Sequence, residues 1–335
     1  MADSERGCCY CCPGSPRMAI ILLLLVSAVP LAFIVSLERS AAGFTYQSKD
    51  WVHECTKWDA DGRRFLASTF LGGGVVDLTA SDPDAVGGAL TERIVVSDPD
   101  AAGNVSLGIA IDRKRSRLLV AYTNFRGYRS SSVAAYDLGS FERLFFTGLS
   151  GPDDEDSFAD DVTVDEDGNA YVTDAKSNKI WKVGLNGEFI SIIRSKVFIQ
   201  TKEWYYNFVG LNGIVYHPDG YLLVIHTASG YLFKVNTANE EVSVVKVSGS
   251  LFMGDGMELL SPTKLIVAGT VSAKLVESSD GWETAKVTAV YIGPVHRLAS
   301  SATVKDGRVY LNHLIGAGIM KRTHVLAEAV LLPGK

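Results

Sequence analysis

The sequence predicts an all-β fold, a six-bladed β-propeller preceded by a single N-terminal transmembrane helix. Three observations predict it. One uncharged apolar run lies near the N terminus, a strand–turn–strand unit recurs six times, and helical periodicity is absent after residue 50.

The apolar run is "MAIILLLLVSAVPLAFIVSL", residues 18–37. As a helix it would span roughly 30 Å, the thickness of a bilayer core. Arg6 and Arg17 precede it. The positive-inside rule then places residues 1–17 in the cytosol and the remainder in the lumen or outside. Pro30 is tolerable inside a membrane span. The run exceeds an ordinary signal-peptide core, which favours an uncleaved signal-anchor. Ser40-Ala41-Ala42 offers the small-x-small pattern of the rival reading, a cleaved signal and a secreted product. The expected division is a cytosolic Cys-rich tail at 1–17, the anchor at 18–37, a stem at 38–48 and the propeller at 49–335.

Four of the five cysteines, Cys8, Cys9, Cys11 and Cys12, sit beside the span in "CCYCC". No second Cys/His pair is nearby to complete a metal knuckle, so reversible lipidation is the better reading, with an unmodified tail as the alternative. Cys55 is the remaining thiol, and the folded part therefore has no internal disulfide. Asn104-Val105-Ser106 is a glycosylation sequon, usable on a lumenal or extracellular domain. The chain thus reads as a single-pass membrane protein of the secretory pathway. Charges are interspersed, the net charge is −6, and no Lys/Arg block follows the N-terminal region. Nucleic acid is not an expected partner.

The repeat carries the fold. "LNGIVYHPDGYLLVI" begins at Leu211, and its Pro-Asp-Gly turn between apolar alternations is hairpin chemistry. Related hairpins are "ECTKWDADGRRFLAS", "LGIAIDRKRSRLLVA", "DDVTVDEDGNAYVTD", "DGMELLSPTKLIVAG" and "ASSATVKDGRVYLNH". They recur at spacings of 53, 53, 52, 43 and 44 residues. In two copies a third β segment follows, "NKIWKV" and "GYLFKV". A period of 40 to 55 residues with three or four strands each is a propeller period. "HVLAEAVLL" near the C terminus is a candidate closing strand, paired with residues 43–50.

In a propeller the first strand of each copy lines the central tunnel, with its first residue at one mouth. Counting back eight from the turn glycine, or its equivalent, gives Glu54, Leu107, Asp160, Asn212, Asp255 and Ala299. Four of the six carry a side-chain oxygen. Strand-start polar residues can instead bond turns. Convergence on the axis would crowd three carboxylates, which repel unless a cation lies between them. All-oxygen ligation calls for a hard ion, Ca²⁺ first, with Mg²⁺ or Mn²⁺ as alternatives. Gly213 would let the chain pass close beside Asn212.

With "NGIVYHPDG", "DDVTVDEDGNAYVTD" and "GDGM", the chain resembles the gluconolactonase/regucalcin, paraoxonase and diisopropylfluorophosphatase superfamily over about residues 50–320. Strictosidine synthase-like proteins share that fold. The resemblance implies a six-bladed propeller with an axial calcium. By position, Glu54, Asn212 and Asp255 match its metal ligands, and Asp160 matches a ligand or substrate-binding asparagine. The departures matter. Position 160 is Asp where Asn is usual, and Phe158 stands where the sugar-lactonases have an arginine, so a sugar acid loses its charged partner. The paraoxonase-type disulfide is missing. Strictosidine synthases have largely lost the quartet retained here.

The expected function is a Ca²⁺-dependent hydrolase acting on a small-molecule lactone, ester or organophosphate at the tunnel mouth. Asp255 and Asp160 are the candidate base or nucleophile, and His296 a candidate proton shuttle. His217 and His226 read as structural. "KEWYYNFVG" leads into Asn212. Its Trp204, Tyr205 and Tyr206, with Phe158, would wall an apolar substrate pocket; an aromatic cover packed on the propeller is the plainer reading. "GPDDEDSFADD" reads as a solvated acidic loop. The alternative function is a non-catalytic lumenal or extracellular binding propeller with a structural calcium.

Overall fold

The computed structural model describes residues 16–40, 43–151, 154–200, 203, 205, 208–270 and 273–333. They fall into two compact units, Met1–Ser40 and Ala41–Lys335.

The first unit holds one helix, α1 (Pro16–Ser40), with Pro30 inside it. Its described side chains, residues 22–36, are largely exposed and apolar, Leu23 at 70% for example. Among the described residues no helix is long and apolar enough to cross a membrane. The transmembrane helix expected over residues 18–37 is therefore not found as such.

The second unit is built mainly of strands. β1 (Gly43–Ser48) comes first. A first antiparallel meander follows, with β2 (His53–Asp59), β3 (Arg64–Thr69), β4 (Gly74–Ala80) and β5 (Gly88–Ser97). The second has β6 (Val105–Asp112), β7 (Arg117–Thr123), β8 (Ser131–Asp137) and β9 (Arg143–Ser150). The third has β10 (Ala159–Val164), β11 (Ala170–Asp174), β12 (Lys179–Val183) and β13 (Phe189–Arg194). The fourth has β14 (Leu211–His217), β15 (Tyr221–His226), β16 (Tyr231–Asn236) and β17 (Val242–Ser248). The fifth has β18 (Gly254–Ser261), β19 (Lys264–Gly269), β20 (Ala273–Glu277) and β21 (Thr284–Tyr291). The last has β22 (Ala299–Lys305), β23 (Arg308–His313) and β24 (Arg322–Glu328), and β25 (Leu332–Pro333) returns to β21.

The last meander takes its fourth strand from the other end of the unit. β1 pairs antiparallel with β24, from Gly43↔Ala327 to Ser48↔Arg322. The stretch expected as a stem, 38–48, thus contains a strand of the sheet. Short parallel pairings, β1 with β5 and β17 with β21, merge neighbouring meanders into larger sheets. The first strands touch in cyclic order: β2 with β6, then β10, β14, β18, β22 and β2 again. The core follows the same order. One buried cluster joins Leu66 to Ile109, and the next joins Leu119 to Val172. Phe198 and Tyr171 pack on Leu222, Val215 on Leu265, and Ile266 on Leu311. A final cluster brings Phe44, Phe65 and Tyr310 together. The inner strands of each meander are buried on both faces, β7 and β15 throughout, whereas the fourth strands β5, β9, β13 and β17 are more exposed. The arrangement of the sheets is that of a β-propeller.

Candidate functional site

Every first strand carries a β-bulge at the same height. The ladder slips between His53 and Thr56, Ser106 and Ile109, and Ala159 and Val162. It slips again between Leu211 and Ile214, Gly254 and Met257, and Ala299 and Ser301. Two residues then oppose one on the second strand, and the extra residue re-aims the chain. The first bulge residues are Glu54, Leu107, Asp160, Asn212, Asp255 and Ser300. Counting from the turn located five of these six. It fails in the last meander because Lys305 pairs directly with Arg308 across the short Asp306-Gly307 turn. The equivalent residue there is Ser300, not Ala299.

The second bulge residues divide into two kinds. Gly108, Gly213 and Gly256 occupy the second, fourth and fifth meanders. A Cβ on Gly213 would lie 2.3 Å from the Asp255 carbonyl oxygen, and one on Gly256 2.6 Å from that of Ser300. No other side chain fits where the strands approach so closely. Cys55, Asp161 and Ser301 occupy the other three, and there a polar residue stands opposite. The Cys55 N–H donates to Ser68 Oγ at 2.9 Å, and the Asp161 N–H to Thr173 Oγ1 at 3.0 Å. Thr173 in turn donates to the Asn212 carbonyl at 2.7 Å, and Asn312 Nδ2 to that of Glu54 at 3.0 Å. The strand beside each of these two candidate residues thus fixes its backbone.

Glu54, Asp160 and Asn212 are buried, and Asp255 is partly so. Burial, then Asp255 and Asp160, push the Glu54 carboxyl well above the usual range. Burial, then Asp255 and Asp161, do the same to Asp160. Asp255 is pushed up to about 7 by burial and Asp161, against the opposing hydrogen bond from the Asn212 side chain. Asp161, raised by burial to about 6, is held down by Lys57 and by the N–H groups of Val162 and Ile214. The four predicted residues therefore share one electrostatic neighbourhood.

The donor set suits a hard cation in type: three carboxylates, one carboxamide, and a buried Glu54 Oε2 with no hydrogen-bond partner. Among the described residues, however, no three His, Cys, Asp or Glu side chains stand ready-made as a metal cluster.

The other candidates are more scattered. His296 lies on the helical turn Val295–Arg297, just before β22. His226 is buried at the end of β15, with Nδ1 3.0 Å from Ser229 Oγ. Phe158 is half-buried in an aromatic cluster, 6.4 Å from Phe125 and 5.9 Å from Tyr128 between ring centroids. Tyr205 is 49% exposed, whereas Trp204, Tyr206 and Cys8, Cys9, Cys11 and Cys12 lie outside the described residues. Asn104 lines a cavity of about 530 Å³ with Leu71, Phe125 and Arg126, and none of Glu54, Asp160, Asn212 and Asp255 lines it. The acidic loop before Asp160 is tied down rather than merely solvated. Glu155 bonds Lys179 at 2.6 Å and also Arg194, and Ser177 Oγ donates to the Asp156 carbonyl. Sequence reading missed Asp161 and Lys57. Their signal is only alternate-residue spacing on a first strand, which charged surface residues also show.

Comparison with known structures agrees with the fold. The chain resembles the Malassezia sympodialis allergen Mala s 1, with a TM-score of 0.67 and 16% identity over 86% of this chain and 96% of that one. It resembles a luciferin-regenerating enzyme, with a TM-score of 0.56 and 12% identity over 85% and 93% of the two chains. A gluconolactonase from Xanthomonas campestris matches with a TM-score of 0.53 and 15% identity over 84% and 87%. The chain shares the fold of these proteins. No family model and no curated protein matches it in sequence.

Proposed function

We propose that the six meanders are the blades of a six-bladed propeller whose tunnel mouth binds one hard cation, Ca²⁺ by preference. In this reading the loaded site hydrolyses a lactone, ester or organophosphate. One observation carries it: Glu54, Asp160, Asn212 and Asp255 occupy the same bulge position in four blades, and the acids among them raise one another's proton affinity. These four residues would hold the ion, which when bound supplies Lewis acidity toward a carbonyl or phosphoryl oxygen. Asn212 orients Asp255 through its side-chain amide. A carboxylate poised near neutrality suits a base that takes a proton from an attacking water, and that role falls to Asp255 or Asp160. His296 is the proposed shuttle that carries the proton away. Phe158, with Trp204, Tyr205 and Tyr206, would exclude water from an apolar substrate. Two of the structural neighbours are named for enzymatic activities, which supports hydrolysis loosely.

The same proposal keeps Cys8, Cys9, Cys11 and Cys12 as lipidation sites and Asn104 as a glycosylation site. The propeller is then lumenal or extracellular. The test of function is a panel of lactones, aryl esters and phosphotriesters assayed with and without a chelator. Chelator-sensitive turnover is expected. No turnover across the panel, together with calcium-dependent melting, would favour a binding propeller with a structural ion. That second reading draws on the Mala s 1 likeness, a neighbour named as an allergen and not by an activity.

A further inference from the structure

Lys57 lies on β2, three residues beyond Glu54. Its Nζ donates to Glu258 Oε2 at 2.7 Å, to the Met257 carbonyl at 3.3 Å and to the Ala302 carbonyl at 3.1 Å. Met257 and Glu258 belong to β18, and Ala302 to β22. One ammonium thus ties three first strands together across the space they enclose. An ammonium has three N–H donors, and here all three meet oxygen. The side chain is 16% exposed and that of Glu258 27%. The charge also reaches Glu54 and Asp161, where it opposes the effect of burial on both carboxylates.

We propose that Lys57 is a resident counter-cation of the carboxylate cluster, its ammonium filling a cation seat built from the Glu258 carboxylate and the carbonyl oxygens of Met257 and Ala302. Tethered to the chain, it neutralises part of the cluster permanently and holds three blades in register. It leaves the mouth with enough negative charge for one added divalent ion. Without the tether, the seat would accept a free cation of ammonium size. The seat itself stands on the three hydrogen bonds of Lys57 Nζ; only its effect on calcium rests on the proposed function.

The experiment uses Lys57→Met, which keeps the apolar stem and removes the charge. Thermal melts are run with chelator in ammonium chloride and in tetramethylammonium chloride at equal ionic strength. The variant's melting temperature should rise saturably with ammonium but not with the bulkier ion, and wild type should not distinguish the two salts. A variant indifferent to the choice of salt overturns the proposal. The double variant Lys57→Met, Glu258→Gln guards against simple misfolding. Removing both charges should restore part of the stability lost by removing one, because a half-buried carboxylate left without its partner is costly. Losses that merely add, or a double variant that also fails to fold, overturn the proposal. In calorimetry Lys57→Met should bind calcium about tenfold or more tightly than wild type, as loss of a nearby positive charge demands. If wild type binds no calcium, the proposed function fails, and the salt comparison still decides the seat.

Discussion

The Asn212 side chain holds down the raised proton affinity of the Asp255 carboxyl, so a carboxamide on one first strand steadies an acid on the next. Asp255→Asn tests what that acid does. The substitution keeps an oxygen ligand and removes one negative charge. Hydrolysis at saturating calcium should fall about 10²-fold or more, while stability should change by less than about 1 kcal/mol. Parallel kinetics and melts decide it. Equal activity in the two proteins would remove Asp255 from the mechanism.

The raised carboxyls give a pH signature. Glu54, Asp160 and Asp255 hold protons more tightly folded than unfolded. Their contribution to stability is present below the unfolded value near 4 and is lost as pH rises toward about 7 for Asp255. Chelated protein bears that loss, and bound cation offsets it. The calcium-induced rise in melting temperature should therefore grow between pH 4.5 and 7.5. A shift independent of pH would detach the cation from these acids.

At the closure the sign reverses. Tyr46 Oη lies 2.7 Å from His53 Nδ1, and the His53 and His324 rings stack at 4.3 Å. Burial, then His324, lowers His53 to about 3. Its neutral form is held in the fold, so stability is lost as pH falls from the unfolded 6.5 toward that value. The loss should reach about 2–3 kcal/mol near pH 4.5. His53→Gln should flatten this acid limb, measured by denaturant melts across pH. An unchanged slope would place the acid sensitivity elsewhere.

Close approach at the bulge is testable by one methyl group. Gly213→Ala puts a Cβ 2.3 Å from the Asp255 carbonyl oxygen, whereas at Gly148 an added Cβ meets nothing within 4 Å. The first should cost about 2–4 kcal/mol or rearrange the strand, and the second should stay within about 1 kcal/mol. Equal costs would mean that the two strands can move apart freely.

Much of this was legible from residue order. The turn glycine at Gly62, Gly168 and Gly220 sits eight residues beyond Glu54, Asp160 and Asn212, because the bulge and hairpin lengths are shared. "HVLAEAVLL" and residues 43–50 were named as a candidate closing pair from their place at the two ends of the repeat array, and β1 does pair with β24. Ser300 was missed because its hairpin is shorter. Lys57, Asp161 and Glu258 were missed because their partners on other meanders lie 53 to 245 residues away, and only the ring of meanders brings them together.

The central claim is that Glu54, Asp160, Asn212 and Asp255 bind one cation. Isothermal titration of chelator-stripped protein with calcium chloride tests it most directly, on wild type and on Glu54→Gln, Asp160→Asn and Asp255→Ala. One calcium per chain should bind to wild type, and each substitution should weaken it by about tenfold or more. Binding that survives all three substitutions unchanged, or no binding by wild type, would contradict the claim.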